Sequence, residues 1–462
     1  MTEKFDAILV GSGQAADSLA GALGKAGRKT AVIESKHAGG TCINEGCTPT
    51  KTMVASGRVA YLARRGADYG VQTGPIAIDL VKVRQRKRDI VESGRLRNEK
   101  RLTGENNELI YGLAEFTGPK TLHVDLRAGG SRTLQAEQIF LNTGLRAAVP
   151  LIPGLRDIPF LTNESIMELS QVPEHLLILG GGYVGLEFGQ MFRRFGSRVT
   201  IIQHGHQLLD NEDPDVSEEV RKILTEDGIE IFLETQTQAV NSTGGSIQLT
   251  VKHAGEIRTV TGSHLLVAAG RTPNTDALNL AATGVETDDH GYIKVNEYLE
   301  TTTPGIYALG DVKGGPAFTH ISYDDYRIVQ ANLLHGERRS TKDRILPYTV
   351  FIDPQLGRIG LTETEARKQG LKIRVAKMPM TSVARAIETA ETRGFMKIVV
   401  NPDSEQILGA AVLGIEGGEI ATVVQIAMEG KLKYTALRDG IFSHPTLSEA
   451  LNNVFFSWTD EQ

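Results

Sequence analysis

Two stretches of the 462-residue chain repeat one order of strand, glycine-rich turn, helix and strand. In the first copy an apolar run over residues 7–10 leads into Gly11-Ser12-Gly13-Gln14-Ala15-Ala16. Small and apolar residues at helical spacing follow, and a second apolar run over residues 30–33 ends at Glu34. This order is typical of a βαβ unit that binds a dinucleotide. Taken alone, the stretch also fits an ordinary glycine-rich turn.

Each small residue of this turn has a predicted task. Gly11 makes the tight turn, and Gly13 lets the backbone approach a pyrophosphate at the start of the helix. Ala16 stands at the helix-packing position that often holds a third glycine and also admits alanine. Glu34, 23 residues after Gly11, can accept hydrogen bonds from a ribose.

The second copy begins with an apolar run over residues 176–179 and continues with Gly180-Gly181-Gly182-Tyr183-Val184-Gly185. Its second strand, residues 199–202, ends in Gln203-His204. Two such units imply two dinucleotides, and we assign FAD to the first unit, which lies beside the cysteines, and a nicotinamide cofactor to the second. An acid at the strand end would favour NADH, and arginines would favour NADPH. Gln203 and His204 are neither, so the choice stays open and slightly favours NADPH.

The chain has only two cysteines, Cys42 and Cys47. On a regular helix this separation turns the two side chains apart, so a bond between them needs a distorted turn, which Gly46 permits and Pro49 suggests. One such small ring adds little stability to a chain that can bury a large core. A soft-metal site needs three or four ligands, so we predict no metal site. The pair is interpreted as a redox-active dithiol, with a structural bridge as the alternative.

Composition limits the class of protein. The net charge of −6, with 40% hydrophobic and 23% charged residues, is ordinary for a globular protein of about three domains and argues against nucleic acid as a partner. The basic run over residues 82–101 is interrupted by Asp89, Glu92 and Glu99, so we predict a solvated helix face. Neither a leader nor a long apolar span is evident, so we expect a cytoplasmic protein without a membrane partner.

The stretch around the cysteines, Gly39-Gly40-Thr41-Cys42, four residues, Gly46-Cys47, two residues and Thr50-Lys51, resembles the active-site signature of flavoprotein pyridine nucleotide-disulfide oxidoreductases. This family includes dihydrolipoamide dehydrogenase, glutathione reductase and mercuric reductase. The resemblance covers essentially the whole chain. It implies an α/β fold of two Rossmann-like domains, for FAD and NAD(P), and a C-terminal α+β dimerisation domain. The expected FAD domain spans residues 1–146 and 277–345, the NAD(P) domain 147–276 and the dimerisation domain 346–462.

The same resemblance implies further cofactor contacts. Gly310 and Asp311 resemble the second FAD motif, whose aspartate bonds the ribityl chain; a helix cap is the alternative for Asp311. Glu187 is expected to pair with Lys51, and Tyr183 resembles a residue that gates the nicotinamide site. The remaining implied contacts, at glycine turns and strand ends, are Gly40, Thr41, Ala114, Thr143, Gly144, Gly180, Gly182, Gly185, Gly270 and Arg271.

The resemblance also assigns catalytic roles. Cys47 would be the thiolate facing the flavin, and Cys42 would exchange with substrate. His444 and Glu449 resemble the family's acid-base pair, which in the homodimer reaches the other subunit's disulfide; a helix cap is the alternative for His444. Pro445 suits the first position of a final helix.

The electron acceptor is less constrained. Residues 318–327 and 384–395 look more like the mercuric-reductase-related and reactive-chlorine-resistance branch than like dihydrolipoamide dehydrogenases. Mercuric reductases, however, carry a second cysteine pair near the C-terminus, which residues 458–462 lack. We expect an NAD(P)H-dependent enzyme that reduces a disulfide, a metal ion or another oxidant. The alternatives are a dihydrolipoyl dehydrogenase within a 2-oxoacid dehydrogenase complex and a flavin-bearing interaction subunit.

Overall fold

The computed structural model describes residues 1–104 and 106–459, so the last three residues of the expected dimerisation domain lie outside it. The chain forms two compact units. The first comprises Met1–Met53, Val81–Ala148 and Gly270–Arg344, and the second comprises Val54–Leu80, Val149–Ala269 and Ile345–Gln462.

The described part of the chain contains both strands and helices. The strands are, in chain order, β1 (Thr2–Val10), β2 (Thr30–Glu34), β3 (Asn107–Gly118), β4 (Thr121–Leu126), β5 (Ser131–Leu141), β6 (Leu145–Ala147), β7 (His175–Leu179), β8 (Arg198–Ile202), β9 (Glu230–Phe232), β10 (Gln236–Thr243), β11 (Ser246–His253), β12 (Glu256–Gly262), β13 (His264–Val267), β14 (Arg271–Pro273), β15 (Ile306–Ala308), β16 (Pro347–Val350), β17 (Gln355–Gly360), β18 (Arg374–Pro379), β19 (Phe395–Val400) and β20 (Ile407–Gly414). The α-helices are α1 (Gln14–Lys25), α2 (Gly40–Asn44), α3 (Cys47–Arg64), α4 (Leu80–Leu102), α5 (Tyr183–Phe195), α6 (Pro214–Glu226), α7 (Thr319–His335), α8 (Glu363–Lys368), α9 (Ala384–Glu388), α10 (Gly417–Glu429), α11 (Thr435–Arg438) and α12 (Ala450–Asn453).

The first unit is built on a parallel sheet. β1 pairs in parallel with β2 and β5, β2 with β3, and β15 with β5. β4 joins β3 and β5 by antiparallel pairing. All five residues of β2 are buried, as expected for a strand covered on both faces. The carboxyl ends of β1, β5 and β15 therefore meet at one edge, where open α/β sheets bind ligands.

The described residues of the second unit form three separate sheets. β13, β7, β8 and β9 form a parallel sheet that carries the second glycine turn after β7. β10, β11 and β12 form an antiparallel meander. The C-terminal part has an antiparallel sheet in the order β16, β17, β20, β19, β18, and its core includes α10 residues such as Ile420 and Val424.

The basic run forms α4, and most of its charged side chains are exposed, as the sequence predicts for a solvated face; Lys87 is a buried exception. In the described part of the chain, no helix combines the length and apolar character that a membrane crossing requires.

The prediction that Pro445 begins the last helix is wrong. α12 begins at Ala450. The preceding residues form a turn, because Ala450 N–H donates to Leu447 O (3.3 Å) and Leu451 N–H donates to Ser448 O (3.1 Å). Bonds that span three residues rather than four do not make an α-helix.

Asp17, in the first turn of α1, is a buried carboxylate. Its residue is 3% exposed, and it forms an ion pair with Arg101 of α4. Within the described residues neither of its carboxylate oxygens has a hydrogen-bond partner. Burial raises the pKa of Asp17 to about 6, and Arg101 only partly opposes this rise.

We expect Asp17 to make the stability depend on pH. Because its pKa in the folded state is above its unfolded value of 3.8, its stabilising contribution is complete below about pH 4 and is lost as pH rises through about 6. Relative to Asp17→Asn, the wild type should lose about 2 to 3 kcal/mol of unfolding free energy between pH 4 and pH 7. Denaturant titrations at several pH values measure this difference.

The matched control is Glu115→Gln, because Glu115 is an exposed carboxylate of the same unit. Its stability difference from wild type should not change across this pH range. A constant difference between wild type and Asp17→Asn would contradict the interpretation.

Candidate active site

The first glycine turn packs directly against the end of β5. Gly11 has a φ of +94°, and a Cβ there would lie 2.4 Å from Asn142 O. Gly13 precedes α1, where a Cβ would lie 2.7 Å from Asn142 Oδ1. A Cβ on Gly40, the first residue of α2, would lie 2.6 Å from Gly13 Cα. The nucleotide turn and the cysteine-bearing segment are therefore in backbone contact.

Glu34 is held at the end of β2 as the sequence predicts. Its Oε2 accepts from Ser12 N–H (3.0 Å) and the Ser12 hydroxyl (2.6 Å), and its Oε1 accepts from Lys36 N–H (2.7 Å). The buried Ala16 donates its N–H to Asn142 Oδ1 (3.3 Å). The carboxylate thus lies beside the middle residue of the glycine turn, where a ribose would bind.

The second predicted FAD motif lies at the same sheet edge. Asp311 follows β15 in a 3₁₀ turn, Gly310–Lys313, and forms an ion pair with Arg271 (3.5 Å). Burial raises the pKa of the Asp311 carboxyl, while Arg271 and Lys313 oppose the rise. Gly310 N–H donates to the buried Asp325 Oδ2 (2.8 Å), which fixes the turn.

The residues around this edge fit a dinucleotide such as FAD. Thr143 Oγ1 is buried and, among the described residues, has no hydrogen-bond partner. A Cβ on Gly144 would meet only open space. Ala114 lies in the buried face of β3, and Thr41 is half-buried in α2. When bound, FAD would supply the two-electron relay between a nicotinamide and the cysteines.

The two cysteines lie on either side of a break between helices. Cys42 lies in α2, and Cys47 is the first residue of α3, with Glu45 and Gly46 between the helices. A Cβ on Gly46 would lie 2.9 Å from Thr41 O. Both cysteines are thiols in this structure, Cys42 half-buried and Cys47 exposed. The break provides the distorted turn that a bond between them requires.

The surroundings of the two sulfurs differ. The hydrogen bond between Cys42 and Cys47 raises the pKa of Cys42, and burial and repulsion by Cys47 act in the same direction. Thr319, the first residue of α7, lies with its Oγ1 3.3 Å from Cys47 Sγ, and its hydroxyl lowers the pKa of Cys42. Cys47 and burial therefore favour the protonated form of Cys42. The thiolate role of Cys47 stays a prediction.

The second glycine turn repeats the packing of the first. Gly180 has a φ of +112°, and its Cβ would lie 2.4 Å from Ala268 O. Gly185 lies against Gly180 O, and Gly182 faces open space. Gln203 at the end of β8 accepts from Gly181 N–H (2.8 Å) through Oε1. The second unit therefore has the same turn geometry as the first.

The other predicted residues of this unit lie nearby in sequence. Tyr183 begins α5, and the buried Glu187 accepts from Phe351 N–H (2.9 Å). His204 is exposed. Gly270 (φ +123°) belongs to the first unit. The pairing of Lys51 with Glu187 stays a prediction.

His444 and Glu449 are in contact. His444 Nδ1 lies 2.9 Å and 3.0 Å from the two carboxylate oxygens of Glu449, and the histidine side chain is 68% exposed. This contact fixes which ring nitrogen faces the carboxylate and leaves Nε2 directed elsewhere.

Sequence reasoning missed three polar residues. Asn142 links the turn to β15 through a bond from its Nδ2 to Leu309 O (2.7 Å). Asp325 is fully buried and contacts Lys313 Nζ (3.3 Å) and Arg344 (2.9 Å). Thr319 approaches the sulfurs. Only Asn142, a polar residue at the end of an apolar strand, left a signal that could have identified it.

Comparison with known proteins identifies the family to which this chain belongs. A family model described as pyridine nucleotide-disulphide oxidoreductase matches residues 5–325, and the dimerisation-domain model of the same family matches residues 346–455. The chain belongs to this family of enzymes, which use FAD and NAD(P)H. The predicted family, fold class and cofactors are confirmed.

Individual relatives are similar along their full length or most of it. A probable pyridine nucleotide-disulfide oxidoreductase RclA of Escherichia coli is 38% identical, with 98% of this chain and 99% of the relative covered. A mercuric reductase of Staphylococcus aureus is 34% identical, with 97% and 81% covered. The solved structure of the HOCl-induced flavoprotein disulfide reductase RclA from Escherichia coli matches with a TM-score of 0.89 at 38% identity, covering 98% of this chain and 99% of that chain.

We expect Thr319→Val to make the dithiol harder to ionise. It removes a hydroxyl that favours the thiolate form, so the pKa governing alkylation of the reduced protein should rise by about one unit, the equivalent of one hydrogen bond to a charged group. The pH dependence of the iodoacetamide reaction rate measures this pKa. Thr319→Ser keeps the hydroxyl and should match wild type. Superimposable profiles for valine and threonine would contradict the assignment.

Proposed function

We propose that this enzyme passes electrons from NAD(P)H through FAD to Cys42 and Cys47, and from that dithiol to an external disulfide, metal ion or other oxidant. The observation that carries the proposal is the sulfur pair at the helix break, with Thr319 beside it. Two adjacent thiols in different environments suit sequential chemistry, because one can be attacked while the other stays ionised.

With a disulfide acceptor, the reduced pair acts in two steps. Cys42 loses its proton and attacks one sulfur of the acceptor, which forms a mixed disulfide and releases a thiolate. Cys47 then attacks the Cys42 sulfur, which releases the second acceptor thiol and forms the Cys42–Cys47 bond. Two electrons leave the dithiol, and its two protons finish on the two product thiols.

A base must take the proton of Cys42 and return it to the leaving thiolate. His444 suits this task, because an imidazole can both accept and donate a proton, and its Nδ1 lies 2.9 Å from a carboxylate oxygen of Glu449, which orients the ring. By the family pattern the base is His444 of the partner subunit. Exposed apolar side chains in the dimerisation domain support a homodimer: Ile426 (65%), Phe456 (73%) and Ile441 (104%).

The relatives suggest which oxidants to test. One related structure is a Cu(II) complex of the HOCl-induced reductase, matched here with a TM-score of 0.90, and other relatives are mercuric reductases. A dihydrolipoyl dehydrogenase of Chlamydia muridarum is 30% identical over 97% of this chain. The His444–Glu449 pair keeps dihydrolipoyl dehydrogenase as the second candidate, because thiol exchange requires such a base.

Steady-state turnover with a panel of oxidants tests the function. We expect NAD(P)H consumption with at least one of Cu(II), Hg(II), products of hypochlorite, oxidised glutathione and lipoamide, and a loss of at least 100-fold in Cys42→Ser, because the exchanging sulfur is removed (~10², the scale of one catalytic group). Turnover of dihydrolipoamide with NAD⁺ far above the other rates would favour the second candidate. Unchanged turnover in Cys42→Ser would contradict the dithiol route, and no turnover with any oxidant would indicate a binding subunit.

His444→Ala tests the acid-base step. The variant should retain FAD and its reduction by NAD(P)H, while disulfide turnover falls by about 10²- to 10⁴-fold. Glu449→Gln should have a smaller effect, because it removes only the orientation and charge support of the ring. His123→Ala is the matched control, since His123 also contacts a carboxylate, Asp125 (3.2 Å), in a different part of the fold. Disulfide turnover near the wild-type rate in His444→Ala would show that His444 is only structural.

A further inference from the structure

The second nucleotide unit lacks an acid at the position that selects the nicotinamide cofactor. Gln203 directly follows β8, at the position where a carboxylate would bind the ribose hydroxyls of NADH and repel the 2′-phosphate of NADPH. The first unit has Glu34 at the corresponding position. Both side chains accept a hydrogen bond from the middle residue of their glycine turn: Ser12 N–H to Glu34 (3.0 Å) and Gly181 N–H to Gln203 (2.8 Å). Glu34 is a carboxylate at this position, whereas Gln203 is a neutral amide.

The loop after β8 brings a carboxylate back to this point. Gln203 Nε2 donates to Asp210 Oδ1 (3.0 Å) and Oδ2 (3.3 Å). The amide is therefore held between the glycine turn on one side and the carboxylate on the other. Asp210 is exposed, and a carboxylate that accepts from one amide group keeps lone pairs for further donors.

The loop is shaped so that Asp210 reaches Gln203. Leu209 N–H donates to Gly181 O (3.0 Å), and Leu209 adopts a φ of +49°, an unusual conformation for this residue type. The Ser217 hydroxyl donates to Leu208 O (2.6 Å). A Cβ on Gly205 would lie 2.8 Å from Asp210 Oδ1 and 2.9 Å from Gln203 Nε2, so a glycine leaves room for the contact.

We propose that Asp210 supplies the carboxylate that Gln203 lacks, accepts a ribose hydroxyl of the nicotinamide cofactor, and makes the enzyme prefer NADH over NADPH. The inference rests on the proposed function only in taking the second unit as the nicotinamide site. It opposes the slight preference for NADPH that the sequence suggests, because the acid does not stand at the strand end but seven residues later, and only the fold of the loop brings it to Gln203.

Other groups near the loop could produce the opposite result, a preference for NADPH. His204 and His206 are exposed, and imidazolium groups could attract a 2′-phosphate. Glu234 is also exposed, and its N–H donates to Gly205 O (2.9 Å). His206 and Glu234 provide the controls, because they flank the loop.

The test measures binding of ADP-ribose and 2′-phospho-ADP-ribose to the FAD-loaded enzyme by calorimetry. These probes carry the discriminating ribose and no nicotinamide, so the result does not depend on turnover. Wild type should bind ADP-ribose at least about 10-fold tighter, and Asp210→Asn should reduce that ratio about 10-fold, the effect expected for one hydrogen bond to a charged group. Gly205→Ala should lower the ratio in the same direction, since it displaces Asp210 without removing its charge.

The remaining outcomes separate the explanations. Glu234→Gln and His206→Ala should leave the ratio within about twofold, because a direct contact is needed for a larger effect. Tighter binding of the 2′-phosphorylated probe that is lost in His206→Ala, or an unchanged ratio in both Asp210→Asn and Gly205→Ala, would overturn the proposal. Selective binding of ADP-ribose without turnover on any oxidant would leave this inference intact and remove the proposed function.

Discussion

Both nucleotide units depend on the same close approach of two backbones. A Cβ on Gly11 would lie 2.4 Å from Asn142 O, and a Cβ on Gly180 would lie 2.4 Å from Ala268 O. Each glycine lets the turn after the first strand pack against the end of a neighbouring strand, which leaves the start of the next helix open to a pyrophosphate. In the first unit this edge also receives Gly40, so the segment with the cysteines is positioned by the same contact.

The chemistry of the cysteine pair follows from asymmetry within a short segment. Cys42 is half-buried and its pKa is raised by Cys47 and by burial, whereas Cys47 begins a helix, where the helix dipole favours negative charge. Thr319 reaches the pair from a helix that begins 272 residues later in the chain. The buried Asp325 of the same helix accepts from Gly310 N–H, which ties α7 to the turn after β15. The helix that carries Thr319 is thus anchored by a buried carboxylate.

Selectivity for the cofactor is separable from the fold that binds it. The same backbone N–H of the glycine turn holds a carboxylate in one unit and an amide in the other. The amide satisfies the turn equally well, because the turn requires only an acceptor. Charge can therefore move from the strand end to the adjacent loop without loss of the fold.

The sequence by itself determined the parts that depend on local residue patterns: the two glycine turns, the strand ends at Glu34 and Gln203, the cysteine pair and the class of enzyme. These features can be predicted from short stretches of sequence, because backbone sterics at glycines and the periodicity of apolar residues act over a few residues. Tertiary structure alone decided where Thr319, Asp325 and Asp210 lie, since their contacts depend on how separate elements pack or, for Asp210, on how the loop after β8 folds back. It also decided the start of α12, where turn bonds replaced the helix that Pro445 suggested, because local preference is weak against the surrounding packing.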